Sequence, residues 1–147
     1  MIRLAHLDEA DDVAAIVDAA YRPYIARIGK PPGPMTDDYA ARIAEHCVWV
    51  SEEAGALTGV LVLFDTPDGC LLDNIAVPPD RHGKGHGRAL LRFAEAEAKH
   101  RGHREIRLYT HVLMTENIAL YTRIGYVETA RVSEKGFDRI YMAKPLA

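Results

Sequence analysis

Cysteine is nearly missing from this chain: Cys47 and Cys70 are the only two in 147 residues, each inside an apolar stretch. So sparse a set builds no disulfide framework, and two reduced core thiols are expected. An excess of basic charge is missing too. Eighteen Lys and Arg stand against 21 Asp and Glu, a formal charge of −3, which leaves no basic field for nucleic acid or an anionic membrane. No window approaches the length of a membrane-spanning helix. The opening segment, Met1 to Asp8, has no uninterrupted apolar run, so no secretory leader is expected. Internal repeats, low-complexity tracts and linkers are also lacking. What remains is 48% hydrophobic and 27% charged, the balance of an ordinary globular protein. These features predict one cytoplasmic domain over residues 1–147, monomeric or homodimeric.

Periodicity supplies the elements. A short strand is expected at residues 2–6. Asp8 is the expected N-cap of a first helix, because Glu9, Asp11 and Asp12 crowd the turn that follows. Val13, Ile16, Val17 and Ala20 then recur at helical spacing, and Pro23 stops the helix. Gly29-Lys30-Pro31-Pro32-Gly33-Pro34 reads as a loop. Thr36 is the expected cap of a second helix with Ile43 and Ala44 facing inward. Residues 48–51 and 57–64 read as a hairpin, followed by a strand at 70–77. A helix over 85–100 carries the apolar stripe Leu90, Leu91, Phe93, Ala94 and Ala98. A strand at 106–112, a short helix at 115–124 and a hairpin around Lys135-Gly136 close the chain. The order β-α-α-β-β-β-α-β-α-β-β implies an α/β fold with a mixed sheet.

Ahead of the long helix runs His82-Gly83-Lys84-Gly85-His86-Gly87-Arg88. Alternate glycines leave backbone N–H groups open and permit dihedrals closed to other residues. At a helix N-terminus such amides bind anions, and Lys84 and Arg88 add positive charge. A diphosphate suits the loop. It is no P-loop, since the Lys-Ser/Thr pair is absent, and its glycine spacing differs from a dinucleotide fingerprint. A plain strand-to-helix turn is the competing reading. On the strand before it, Asp73 and Asn74 interrupt an apolar run. Period-2 alternation puts Asp73 with Ile75 and Val77 on one face, and Asn74 with Leu72 and Ala76 on the other. Buried polar groups need partners, which points to a site or a cleft near this strand.

Two segments together carry a family resemblance. Strand, Val-x-Pro, Gly-x-Gly-x-Gly and Arg-Ala-Leu-Leu resemble motif A of the GNAT superfamily of acyl-CoA-dependent N-acyltransferases. Its Gln/Arg-x-x-Gly-x-Gly/Ala core has its small positions at Gly85 and Gly87, with His82 where the family has Gln or Arg. Residues 115–126 resemble motif B, through Leu120, Tyr121, Gly125 and Tyr126. The resemblance implies the GNAT fold, a mixed and mostly antiparallel sheet with helices on both faces. It implies direct transfer of an acetyl group from acetyl-CoA to a primary amine, on a small molecule or a peptide. By the same resemblance the backbone of His82, Gly83, Lys84, Gly85, His86, Gly87 and Arg88 cradles the coenzyme A pyrophosphate. The pantetheine arm then runs beside Ile75, Ala76 and Val77. Tyr121 is expected to protonate the departing thiolate, its alternative being a packed helix tyrosine. Asp73 either takes the amine proton or serves as a structural hydrogen-bond partner. Asn117 either touches the coenzyme arm or serves the helix terminus. By the same resemblance Tyr21 and Tyr24 lie in the region that lines the acceptor cleft, with core or rim packing as their alternative, and His111 either faces the cleft or packs.

No metal site is expected. His82 and His86 are spaced i, i+4, but within a glycine turn where no helical register holds, and no Cys, His and acid set completes a site in the sequence. A non-catalytic acyl-CoA sensor that keeps the loop is the rival to a transferase.

Overall fold

A computed structural model describes residues 1–146. Its strands are β1 (Ile2–Leu4), β2 (Val48–Glu53), β3 (Ala56–Thr66), β4 (Gly69–Ala76), β5 (Glu105–His111), β6 (Val127–Glu134) and β7 (Phe137–Pro145). The helices are α1 (Ala10–Tyr21), α2 (Tyr24–Ile28), α3 (Tyr39–Ala44), α4 (His86–His100) and α5 (Thr115–Arg123). The expected order of elements holds, with α2 and three short 3-10 turns added. Hydrogen bonding orders the strands β1-β2-β3-β4-β5-β7-β6. The β4–β5 ladder is parallel, whereas β1–β2, β2–β3, β5–β7 and β6–β7 are antiparallel. The sheet is therefore mixed, as the alternation of strands and helices predicts.

The chain divides into two compact units: residues 1–63 with 74–94, and residues 64–73 with those from 95 onward. In the first, Val13 and Val17 of α1 and Val48, Val50, Val60, Leu61 and Val62 of the strands are buried to within 1% of full enclosure. Trp49 meets Phe93 with ring centroids 5.9 Å apart. Leu90 lies so close to β3 that a Cβ on Gly59 would stand 2.7 Å from its Cδ1. In the second unit Ile106 and Leu108 of β5 are buried with Ile140 and Met142 of β7 and with Tyr121 and Tyr126. Their strands are fixed by the register Leu108↔Met142 and Thr110↔Ile140.

Several local expectations change. Asp8 does not cap α1: a 3-10 turn over Leu7–Glu9 precedes it, and Glu9 Oε1 accepts the His6 amide at 2.7 Å. Asp38, not Thr36, caps α3, accepting the Ala41 amide at 3.1 Å, while the Thr36 hydroxyl donates to Gly33 O. The helix starts two residues late because Gly33–Thr36 forms a 3-10 turn of its own. Ile43 is buried, but Ala44 is exposed. No disulfide joins the cysteines; Cys70 is fully buried, whereas Cys47 is only half-buried. Burial pushes the Cys70 thiol up to about 11, so it remains protonated near neutrality.

Candidate functional site

Alternation along β4 sets the site. Cys70, Leu72, Asn74 and Ala76 point into the core, and Leu71, Asp73 and Ile75 stay half-buried on the other face. In the first unit the buried Asn74 amide is satisfied by two tyrosines. Tyr21 OH donates to Asn74 Oδ1 at 2.8 Å and lies 3.1 Å from Ile75 O. Asn74 Nδ2 donates to Tyr39 OH at 2.9 Å, and Tyr39 OH donates onward to Pro34 O. This chain of bonds ties the segment around Pro34 to the end of β4. Tyr21, expected as an acceptor contact, is buried at 9% exposure, with its hydroxyl engaged in this network. Tyr24 is half-buried with the Arg27 guanidinium 5.1 Å above its ring.

Beyond β4, a 3-10 turn over Pro79–Arg81 leads into the glycine loop. Gly83 and Gly85 have φ of +78° and +83°, left-handed conformations that explain glycine at both positions. Gly87 needs no such freedom, because it already belongs to the first turn of α4. Ala89 N donates to Gly85 O at 3.0 Å, so the amides of residues 86–88 precede the helical ladder. Open space surrounds both left-handed glycines, and the loop is exposed. Exposed amides at a helix start, beside a left-handed turn, form a concavity for an anion. Lys84 and Arg88 are exposed beside it. The His82 ring lies with its Nε2 2.9 Å from the Val77 carbonyl, to which it donates. The ring thus fastens the loop to the strand end. His86 is half-buried with Glu53 Oε2 at 3.9 Å.

The second unit holds Asp73, Tyr121, Asn117 and His111. Asp73 Oδ1 accepts the Tyr109 hydroxyl at 2.9 Å. Burial and the neighbouring Asp73 carboxylate hold the Tyr109 phenol well above its ordinary pKa. The Arg139 guanidinium lies over the Tyr109 ring, 4.5 Å from its centroid, and the Tyr141 ring stacks with it at 5.6 Å. Arg139 Nη1 and Tyr141 OH both donate to Glu134 Oε2 at 2.7 Å, and these bonds hold the Glu134 carboxyl below the usual range. Tyr109, Glu134, Arg139 and Tyr141 escaped the sequence reading. Each sits on a strand, and the β5–β7 register, which pairs Tyr109 with Tyr141, and the β6–β7 register, which sets Glu134 beside Phe137, bring them together.

Tyr121 lies on α5, 5% exposed, with its ring edge-on to Tyr126 at 5.8 Å. Asn117 does not cap α5, whose N-cap is Met114; its side chain reaches the Met114 sulfur at 3.7 Å. His111 Nδ1 accepts the Leu113 amide at 3.1 Å, which leaves the ring proton on Nε2. The structure also groups Asp65, Cys70 and His103 within 4.8 Å, a set that sequence spacing did not reveal. Asp65 is hydrogen-bonded by His103 at 2.9 Å and paired with Arg101 at 3.2 Å.

The model of the acetyltransferase (GNAT) family matches residues 13–126. This chain belongs to the GNAT family. Among curated GNAT relatives, N-acetyltransferase family 8 member 3 of Rattus norvegicus is 30% identical over 103 residues, 65% of this chain and 45% of the relative. The probable N-acetyltransferase family 8 member 5 of Mus musculus is 30% identical over 97 residues, 62% of this chain and 43% of its own. The chain therefore spans about half the length of the curated relatives it matches. Solved GNAT structures share the fold. PaiA N-acetyltransferase from Thermoplasma acidophilum, determined with coenzyme A, gives a TM-score of 0.81 at 19% identity, covering 99% of this chain and 98% of that one. The ribosomal-protein-S18-alanine N-acetyltransferase from Escherichia coli gives 0.79 at 24% identity, covering 100% and 94%.

Proposed function

We propose that the chain transfers the acetyl group of acetyl-CoA directly to an amine. The observation that carries this reading is the exposed left-handed turn at Gly83 and Gly85, which runs straight into the first amides of α4. Its chemistry fits a pyrophosphate: backbone donors in a concavity, the positive end of a fifteen-residue helix, and two flanking cations. Gly83, Lys84, Gly85, His86, Gly87 and Arg88 would hold the coenzyme A diphosphate, and the backbone of Ile75, Ala76 and Val77 would run beside the pantetheine. His82 serves this site through Val77, as a staple of the loop.

The chemistry needs an unprotonated amine, an electrophilic thioester and a proton for the departing sulfur. Asp73 takes the proton from the ammonium, directly or through water, while Tyr109 holds one of its oxygens. The amine lone pair then forms the C–N bond to the acetyl carbon. The C–S bond breaks, and the Tyr121 phenol gives its proton to the thiolate. The nitrogen sheds its second proton as the amide forms. Acetyl-CoA and an ammonium thus yield an acetamide, free coenzyme A and one proton. No covalent enzyme intermediate is required.

Calorimetric titration with coenzyme A, followed by thiol release with a panel of amines, tests the reading. Saturable binding, weaker for pantetheine than for coenzyme A, and thiol release that depends on the amine are the expected results. Binding without thiol release would favour a sensor of acyl-CoA; no binding at millimolar ligand would remove both.

A further inference from the structure

On the half-buried face of β4, within the second unit, a cavity of about 380 Å³ opens over the strands. Its form follows from register. Leu71 of β4 pairs with Arg107 of β5, and opposite Arg107 on β7 stands only Ala143. Opposite Tyr141 on β6 stands Ala130, after a register shift between Glu128 and Ala130. Small residues stand across from long ones, and the irregular β6 turns both Thr129 and Ala130 toward the gap.

The charges of this cavity are unequally matched. Glu134 receives two hydrogen bonds of 2.7 Å, from Arg139 and Tyr141, and has no demand left for a cation. Arg107 is different. Among the described residues its ionic partner is Asp68, at 3.9 Å, and Asp68 is itself 79% exposed. A guanidinium that forms a full fork with a carboxylate sits at about 2.7–2.9 Å. Arg107 therefore lines the cavity as a loosely held cation with planar donors available. Asp73 stands on the same face, two positions beyond Leu71 along β4, or about 7 Å at the rise of a strand. One face thus presents a carboxylate at one point and an unsaturated guanidinium at the next.

We propose that this cavity recognises the acceptor as an aminocarboxylate, with Arg107 in its lining taking the carboxylate and the amine reaching past Leu71 to Asp73, which stands beside the cavity on the same face of β4. The proposal rests on the transferase reading above. It narrows the acceptor from any amine to an amino acid or a compound that carries a free acid near its amine. A mismatched ester or decarboxylated amine leaves Arg107 unpaired against the ligand and loses a charge-assisted fork.

The test is thiol release with matched triplets, each an amino acid, its methyl ester and its decarboxylated amine, for wild type, Arg107→Gln and Arg107→Lys. In the wild type the acids should show a KM roughly 10- to 100-fold below their esters, the loss expected for one charged hydrogen-bonded pair. Arg107→Gln should remove that gap by raising the KM of the acids alone, with coenzyme A affinity unchanged, and Arg107→Lys should restore part of it. Equal use of acids and esters by the wild type, or an unchanged gap in Arg107→Gln, overturns the proposal. Absence of thiol release from every amine tells against the transferase reading instead. Calorimetric titration of the same amino acids into the coenzyme-saturated protein then decides the cavity: binding lost in Arg107→Gln supports it, and no saturable heat in the wild type refutes it.

Discussion

The Tyr126 hydroxyl is enclosed at 1% exposure and has no hydrogen-bond partner among the described residues. Burial drives its pKa well above the ordinary value, as expected of a phenol with nothing to stabilise its anion. An orphaned buried donor costs about 1–3 kcal/mol. Tyr126→Phe keeps the ring contact with Tyr121 and removes the orphan, so it should raise stability by on the order of 1 kcal/mol in urea unfolding. A destabilised variant would mean that the hydroxyl has a partner after all. Tyr121 has the opposite expectation, because its phenol is assigned chemistry. Tyr121→Phe should cut kcat at least tenfold, the low end or below for a lost general acid at about 10²–10⁴, and leave coenzyme A affinity within about twofold. Equal losses of both would reduce Tyr121 to packing. Both tyrosines were visible in the sequence as part of one cluster, but their difference was not. Which hydroxyl finds a partner depends on side chains from distant strands, and spacing along α5 carries no information about them.

At the scale of elements, glycine marks two positions for different reasons. At Gly85 the demand is conformational, since φ is +83° with open space where a side chain would go. Gly85→Val should strain the turn and shield the amides behind a branched side chain, weakening coenzyme A at least tenfold by calorimetry. Unchanged affinity would mean that the diphosphate lies elsewhere. At Gly59 the demand is space. A Cβ there would stand 2.7 Å from Leu90 Cδ1, 2.9 Å from Ser51 Oγ and 3.3 Å from Ala76 O. Leu90 is fully buried and has little room to retreat. Gly59→Ala should therefore cost about 1–3 kcal/mol, read as a lower urea midpoint. The glycine loop was legible because its signal is local: alternate glycines between a strand and an amphipathic helix. So was the demand of Asn74, a polar residue in an apolar strand, although its partners Tyr21 and Tyr39 were not. Gly59 was overlooked because its constraint comes from α4, far along the chain. Arg139, Glu134 and Tyr141 were overlooked for the same reason, since the β5–β7 and β6–β7 registers are properties of the folded sheet.

Across the whole molecule the formal charge is only −3, so acid sensitivity should come from particular carboxylates and not from a general field. Glu9, Asp65 and Glu134 lie below their ordinary pKa. Glu9 is held down to about 2, chiefly by the Arg3 guanidinium, which meets both of its oxygens at 2.9 Å. Asp65 is lowered first by His103 and then by Arg101. Glu134 is lowered first by Tyr141 and then by Arg139. A carboxyl whose folded pKa is depressed contributes stability that is fully present above its unfolded value. That stability is lost as pH falls toward the folded one. For Glu9 the window runs from about 4.5 down to about 2. The urea midpoint should thus be flat near neutrality and fall steadily through that interval. Arg3→Met removes the main cause of the Glu9 shift, so it should lie below wild type at pH 7 and meet it near pH 2. Two parallel curves would show that Arg3 acts through packing alone. Because Glu134 and Asp65 keep their own partners in the variant, part of the acid slope should survive. Its size relative to the part removed measures how much of the acid sensitivity belongs to the first unit and how much to the second.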